Sequence, residues 1–300
     1  MDLTGAVLVV LVLLNVAFGI GWLLAVRRRR LRGRPQPADV AIGSFTTFLD
    51  TLGIGSFAPT TALLKFRGKV ADELIPGTLN VGLNAAAFLE TMLLIGLVKV
   101  QPALLAAMVA AAAAGAWLGS GIVSRMPRRS IQLFMGAALL IAAAFFAMKN
   151  LGAFPEGGVA MGLAGWKFPF AVAVSFVLGA LMCVGIGNYA PLMILLSLLG
   201  MDPLAAYPIM MASDGLLQPV SSLGFFRSGR FSHVASLGLT VGSVIGVTLA
   251  YFVLKFVVMR SQIQVVRWLI IVVVVYSAVA MLRSARRERL AARAAAAAQA

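Results

Sequence analysis

The chain has 300 residues, of which 61% are hydrophobic, and its formal net charge is +15. Soluble domains are about 45–50% apolar, so this composition predicts a multi-pass protein of the cell (inner) membrane rather than a soluble enzyme. One cysteine, Cys183, and one histidine, His233, exclude an intramolecular disulfide and any cysteine- or histidine-rich metal cluster. In a membrane protein, the excess of lysine and arginine over acidic residues is explained by basic loops that set the orientation in the bilayer, and it does not indicate nucleic-acid binding. We therefore expect no enzymatic activity, no metal and no cofactor.

Long apolar segments follow one another along the chain. Residues 3–26 are long enough to span a bilayer of about 30 Å. Their arginines come after the apolar stretch, whereas a cleaved signal peptide carries its charges before it. The other apolar segments are residues 39–64, 74–98, 103–124, 131–148, 168–199, 204–226, 233–254 and 268–282. We expect the first segment to be an uncleaved span with its N-terminus outside.

Two of these segments contain the same interruption. Residues 53–59 read GIGSFAP and residues 185–191 read GIGNYAP. Glycine permits a positive φ and proline blocks helix continuation. Within hydrocarbon, such a break is tolerated only where it is buried in protein or lines a polar cavity. A pair of matching breaks is the best sequence indication of a transporter's binding site.

The breaks belong to an internal repeat. A shift of 132 residues gives ten identities over the 28 positions from 49 to 76, without a gap, and both glycines and two prolines are among them. We divide the chain into an N-terminal helix with its basic loop, a first repeat, a linker, a second repeat and a basic, Ala-rich tail. The corresponding ranges are residues 1–38, 39–149, 150–167, 168–283 and 284–300.

Charge then favours one topology. If each interrupted segment enters the membrane, turns at its break and returns, 19 of the 25 basic residues fall in loops on one side, which the positive-inside rule identifies as the cytoplasm. Three full spans remain in each repeat, so the second repeat is inverted relative to the first. The sequence thus predicts an all-α integral membrane protein. It has two inverted repeats, each a broken re-entrant hairpin plus three transmembrane helices, after one extra N-terminal span. The C-terminus is expected in the cytoplasm.

The doubled glycine-proline segments, the loop Lys65-Phe66-Arg67 and the stretch 75–80 (IPGTLN) resemble the sulfite exporter TauE/SafE family of permeases over residues 39–283. Here Ser56-Phe57 and Asn188-Tyr189 stand where that family is often richer in glycine. The resemblance implies a permease for small sulfur-containing anions, such as sulfite or organosulfonates.

The candidate substrate-binding residues centre on the two breaks. Free backbone N–H groups and the dipole of a restarting helix favour an anion, and equivalent side chains at positions 56 and 188 can donate to an oxyanion or cap the helix. Two asparagines on the next span could also reach the substrate, although such residues more often join helices. The predicted set is Gly53, Gly55, Ser56, Pro59, Asn80, Asn84, Gly185, Gly187, Asn188 and Pro191.

Carboxylates within apolar segments are costly and indicate function. Asp50 and Asp214 are the candidates for proton coupling, with protons as the possible coupling ion; Glu90, late in its segment, could instead face the outer water. An intramembrane aspartyl protease built on two carboxylates is disfavoured, because Gly55 is followed by Ser56 and not by aspartate. A passive anion channel or a membrane scaffold remains the alternative to a carrier. The oligomeric state is left open.

Overall fold

A computed structural model describes residues 3–52, 54–95, 99–153, 157–185 and 187–256, with 271–272, 275–276, 278–287 and 289–290 beyond them. Within these ranges the chain is helical, and its only β-type pairing is an isolated bridge between Ala160 and Met201. The helices are α1 (Leu3–Arg29), α2 (Pro37–Thr51), α3 (Phe57–Arg67), a 3₁₀ turn (Asp72–Leu74), α4 (Ile75–Gly82), α5 (Asn84–Leu94), α6 (Pro102–Val123), α7 (Arg128–Asn150), α8 (Lys167–Met182), α9 (Tyr189–Leu198), α10 (Pro203–Ser228) and α11 (His233–Phe256). The predicted all-helical class is confirmed.

Four helices among the described residues are long and apolar enough to cross a membrane. They lie in α1, α6, α7 and α11, over Gly5–Arg29, Pro102–Val123, Arg128–Asn150 and His233–Val253. On α1, large apolar side chains such as Leu13 remain 62% exposed in the folded chain. Apolar exposure of this kind is what a lipid-facing helix requires. Of the predicted span 268–282, residues 268–270, 273–274 and 277 lie outside the described residues, and the other nine positions are helical.

The first interrupted segment folds back on itself. α2 ends at Thr51 and α3 begins at Phe57. Arg67, the last residue of α3, forms an ion pair with Asp39 in the first turn of α2. Its other guanidinium nitrogen, Nη2, donates to Gln36 Oε1 at 3.2 Å. Since these contacts join the two outer ends, α2 and α3 form a hairpin whose tip is the predicted break.

The second interrupted segment has the same shape. α8 ends at Met182 and α9 begins at Tyr189. Lys167 Nζ, at the start of α8, donates to the Leu199 carbonyl just after α9, at 2.8 Å. This contact closes the base of a second hairpin. The helix bounds of the two hairpins are related by the 132-residue shift to within two residues.

The predicted span over residues 74–98 is not one unbroken helix, because the helix is interrupted at Leu83 between α4 and α5. The cause lies in other helices. Ser222 Oγ donates to the Asn80 carbonyl at 3.2 Å, and Thr240 Oγ1 donates to the Gly82 carbonyl at 3.1 Å. Side chains that intrude into the helical hydrogen-bond ladder bend a helix. Neither α4 nor α5 is long enough to span a bilayer alone.

Small residues bring two pairs of helices into close contact. A Cβ on Gly179 of α8 would lie 2.1 Å from the Ala112 carbonyl oxygen of α6. A Cβ on Gly242 of α11 would lie 2.1 Å from the Val40 carbonyl oxygen of α2. Backbones approach this closely only where a helix carries glycine at the contact. The long arm of each hairpin is thus packed tightly on a helix of the opposite repeat.

The basic segments gather at one end of the helix bundle. Arg29 Nη2 donates to the Arg227 carbonyl at 2.6 Å, and Arg230 Nη1 donates to the Met126 carbonyl at 2.6 Å. Lys65 Nζ pairs with Asp72 at 2.6 Å, and Arg128 lies 3.8 Å from the same carboxylate. The ends of α1, α3, α6 and α10 therefore meet on one face, as the charge pattern predicts.

The opposite end is formed by the remaining loops. The Gln101 N–H donates to the Met161 carbonyl at 2.9 Å, and the Gly158 N–H donates to the Met201 carbonyl at 3.0 Å. α6 connects this end to the basic one, and its 22 residues extend about 33 Å at 1.5 Å per residue. The base of the first hairpin lies at the basic end and the base of the second at this one.

Single cysteines at the two ends should react from opposite sides of the membrane. Native Cys183 is fully buried and serves as a silent background. We expect Lys69→Cys and Ser228→Cys to be labelled by an impermeant thiol reagent from one side, and Val159→Cys, whose native side chain is 90% exposed, from the other. Labelling of Lys69→Cys and Val159→Cys from the same side would contradict the arrangement.

The close contact between α6 and α8 gives a stability prediction. Gly179→Ala should destabilise the protein by about 1–3 kcal/mol, because the new methyl group overlaps a backbone oxygen that cannot move independently of its helix. Gly121→Ala on α6 is the matched control, since its Cβ would meet nothing within 4 Å. Thermal unfolding in detergent measures both, and equal midpoints for the two variants would show that the contact is not tight.

Candidate functional site between the two helix breaks

The tips of the two hairpins meet inside the bundle. A Cβ on Gly187 would lie 3.7 Å from Phe57 Cβ, so the second break lies beside the start of α3. A cavity of about 30 Å³ lies between them. Its lining comes from the first tip, the second tip and α7: Ile54, Gly55, Phe57 and Ala58; Gly187, Tyr189 and Pro191; Ile141, Ala142 and Phe145. The predicted breaks are therefore brought together.

This cavity is small and mostly apolar. Its 30 Å³ matches the share of liquid volume of one water molecule, whereas ligand pockets typically occupy about 300–1,000 Å³. A cavity of this volume does not hold a polyatomic anion in this conformation. The tips are thus closed on each other in this conformation.

The backbone at the two tips is similar but not identical. Gly55 has φ +93° and Gly185 has φ +100°, a region that side chains with a Cβ rarely adopt. Gly187, the repeat equivalent of Gly55, is not among the residues with positive φ. Gly53 lies outside the described residues. Pro59 and Pro191 lie in the first turns of α3 and α9, where a missing N–H leaves no helical bond unmade.

The equivalent residues Ser56 and Asn188 each hydrogen-bond to a carboxylate. Ser56 Oγ donates to Asp50 of the same hairpin, and Asn188 Nδ2 donates to Asp214 Oδ1 of α10 at 3.3 Å. Both residues hold the N-cap position of their helix, yet neither side chain caps it. Neither lines the cavity. The donors predicted to face an anion are thus engaged with the two predicted coupling carboxylates.

A third carboxylate, Glu90 of α5, belongs to the same cluster. Its side chain is 3% exposed and accepts a 2.7 Å hydrogen bond from Thr51 Oγ1, next to Asp50. It interacts electrostatically with both Asp50 and Asp214. Sequence reasoning ranked it below the two aspartates because its place late in the segment suggested outer water. The signal was its presence in an apolar segment, which by itself indicates function.

None of the three carboxylates forms a salt bridge with a basic side chain among the described residues. Asp50 and Glu90 are buried and Asp214 is partly buried. Over the described residues, the salt bridges of the chain involve Asp39, Asp72 and Glu73, and none involves this cluster. No group of three or more ligating side chains in those ranges is arranged to hold a metal ion.

Unpaired polar atoms mark the same region. Asn188 Oδ1 and Thr61 Oγ1 are buried and have no hydrogen-bond partner in the structure. Thr61 Oγ1 lies 3.8 Å from the Cβ position of Gly185, at the second break. Buried polar atoms are nearly always paired. These two are the places where a water molecule or a polar substrate atom would gain a hydrogen bond.

The two predicted asparagines serve helix packing in this conformation. Asn80 Oδ1 accepts from Ser221 Oγ of α10 at 2.6 Å, and its amide donates to the Pro76 carbonyl at 2.9 Å. Asn84 Nδ2 donates to Asn15 Oδ1 of α1 at 2.9 Å. None of these three hydrogen bonds reaches a break residue. A direct role for them in substrate binding stays a prediction.

Comparisons of the chain with protein-family models, with curated proteins and with solved structures find no match. The function is therefore inferred from the residues of the site and from the arrangement of the helices around it.

The tip glycines give a prediction with an internal control. Gly55→Ala should destabilise the closed tip by about 1–2 kcal/mol, because a Cβ is strained at φ +93° even though space is open around it. Gly187→Ala should be tolerated, because its Cβ would make an ordinary contact without a positive φ. Thermal unfolding compares the two variants. A larger loss of stability for Gly187→Ala than for Gly55→Ala would contradict the conformations of both tips.

Proposed function

We propose that this chain is a membrane permease, a secondary transporter that moves small anions by alternating access around its two hairpins. The observation that carries the proposal is the hydrogen bond between each helix break and a carboxylate, Ser56 with Asp50 and Asn188 with Asp214. This hydrogen bond links a hairpin tip, which moves in the proposed transport cycle, to a carboxylate that can bind a proton. Carriers that couple solute to protons need both in one place.

The arrangement of the helices supports two inverted repeats. The first hairpin has its base at the basic end, the second has its base at the opposite end, and their tips meet. α2 packs on α11 as α8 packs on α6, and these pairs exchange under the 132-residue shift. We take the full topology as seven spans and two re-entrant hairpins. By the positive-inside rule the basic end is cytoplasmic, with the N-terminus outside and the C-terminus inside.

The starts of α3 and α9 are the proposed anion contacts. Both helices begin at the tips, and the positive ends of their dipoles and their free N–H groups point to the contact between the hairpins. The hairpins carry no basic residue over residues 39–64 and 168–199. Binding by backbone donors suits a small oxyanion, and the resemblance to the sulfite exporter family makes sulfite and organosulfonates the first candidates. Entry of any of them requires the tips to separate.

Electrostatic repulsion between the anion and an ionised carboxylate couples anion binding to proton binding. Two unit charges roughly 6 Å apart repel by about 3 kcal/mol at an effective dielectric constant of about 20. An anion near the tips would meet this repulsion from an ionised Asp50 or Asp214. Protonation removes the repulsion, so the anion and the proton bind more strongly together than separately. The expected coupling is symport, in which both move in the same direction.

Flux in proteoliposomes tests the proposal. An inward proton gradient should drive saturable uptake of sulfite or an organosulfonate by the wild-type protein. Asp50→Asn or Asp214→Asn should reduce gradient-driven uptake by about tenfold or more and leave anion exchange intact, because a neutral amide removes the proton site and keeps the shape. Glu90→Gln tests the third carboxylate in the same assay.

Asp202→Asn provides the matched control, since Asp202 caps α10 at the loop end and asparagine can also cap. Gradient-driven uptake that survives in the Asp50, Asp214 and Glu90 variants alike would refute the coupling role. Flux that neither saturates nor shows counterflow would indicate a passive channel, and no flux of any small anion would indicate a scaffold.

A further inference from the structure

A second concave region lies far from the hairpin tips, on the outer surface between α6 and α10. Its volume is about 400 Å³, within the range of about 300–1,000 Å³ typical of ligand pockets. Its floor is the close approach of the two helices, where a Cβ on Gly224 would lie 2.6 Å from Ser120 Oγ. We call it the α6–α10 groove.

The groove has an apolar part and a basic part. Trp117 and Leu118, 58% and 46% exposed, line the apolar part together with Leu223. Arg125 and Arg227 line the other part. Arg125 lies eight residues beyond Trp117, in the turn just after α6, which is about 12 Å away at the rise of a helix. The polarity therefore changes along the groove over roughly the distance from a lipid headgroup to the upper part of its acyl chains.

The two arginines of the basic part form no salt bridge with any residue that the structure describes. Among the described residues, no carboxylate lines the groove. Arg29 Nη2 binds the Arg227 carbonyl and adds a third positive charge nearby. Ser124 and Ser228 supply hydroxyl groups to the same part of the lining. The groove thus offers bidentate donors to an anion beside an apolar surface.

We propose that the α6–α10 groove binds one anionic phospholipid. The phosphate of the headgroup lies between Arg125 and Arg227, and an acyl chain follows Trp117, Leu118 and Leu223 along the groove. Basic pockets between membrane helices on the positively charged side are suited to anionic headgroups. The lipid would bridge α6, which packs on the second hairpin through Gly179, and α10, which carries Asp214. This proposal does not depend on the transported substrate.

Native mass spectrometry of the purified full chain, titrated with phosphatidylglycerol and with phosphatidylcholine of the same acyl composition, tests the proposal. The wild-type protein should retain phosphatidylglycerol at least about tenfold more strongly than phosphatidylcholine, because each arginine near the headgroup contributes favourable charge. Arg125→Gln/Arg227→Gln should remove that preference. Arg28→Gln/Arg129→Gln, which removes two exposed charges at the same end but outside the groove, should keep it.

A filling variant tests the shape independently of charge. Gly121 lines the groove and its Cβ position has nothing within 4 Å, so Gly121→Leu should occupy the groove and lower phosphatidylglycerol binding by about tenfold. Gly19→Leu on α1, where a Cβ also meets nothing within 4 Å, is its control. Equal losses in the groove variants and their controls, or equal retention of the two lipids by the wild-type protein, would overturn the proposal.

Discussion

The structure depends on the cost of leaving backbone polar groups unpaired where a helix is broken in an apolar environment. Backbone N–H and C=O groups at a break have no water to bind within hydrocarbon, so the chain must satisfy them or bury them in protein. Here the breaks close partly on themselves. The Ile54 N–H bonds the Leu49 carbonyl at 3.0 Å, and the Gly185 N–H bonds the Met182 carbonyl at 2.9 Å. The helices that restart, α3 and α9, are too short to leave on the far side. Each segment therefore returns, and each tip is covered by the other.

The same constraint explains why the carboxylates and their hydrogen-bond donors lie at the hairpin tips. A carboxylate beside a break has local donors that an unbroken apolar helix lacks. Ser56 and Asn188 hold equivalent positions in the repeat and serve carboxylates that are not equivalent, since Asp50 aligns with Met182 and Asp214 with Gly82. The backbone is thus nearly symmetric while the titratable groups are not. Asp50 shares a hairpin with its donor, whereas Asp214 approaches from α10 and ties that helix to the second tip.

Sequence patterns reveal features encoded locally and miss those that depend on other helices. The glycine-proline motifs locate both breaks because the motif itself prevents the helix from continuing. The interruption at Leu83 has no such signal, since its cause is the hydroxyl groups of Ser222 and Thr240 on α10 and α11. The conformation of Gly187 and the hydrogen-bond partners of Ser56 are likewise set by tertiary contacts. Glu90 was visible as an acid in an apolar segment, but its place beside Thr51 was not.

The helix packing restricts which elements can move when the tips separate. α2 on α11 and α8 on α6 are held at glycine contacts so close that sliding would bring backbone oxygens into collision. The short arms α3 and α9 have no comparable glycine contacts among the described residues. Because Ser56 and Asn188 stand at the starts of these arms, a displacement of either arm changes the distance to its carboxylate. In the proposed carrier, the hydrogen bond between an arm and its carboxylate is therefore also the one that protonation of Asp50 or Asp214 would alter, and this would couple movement of the tips to proton binding.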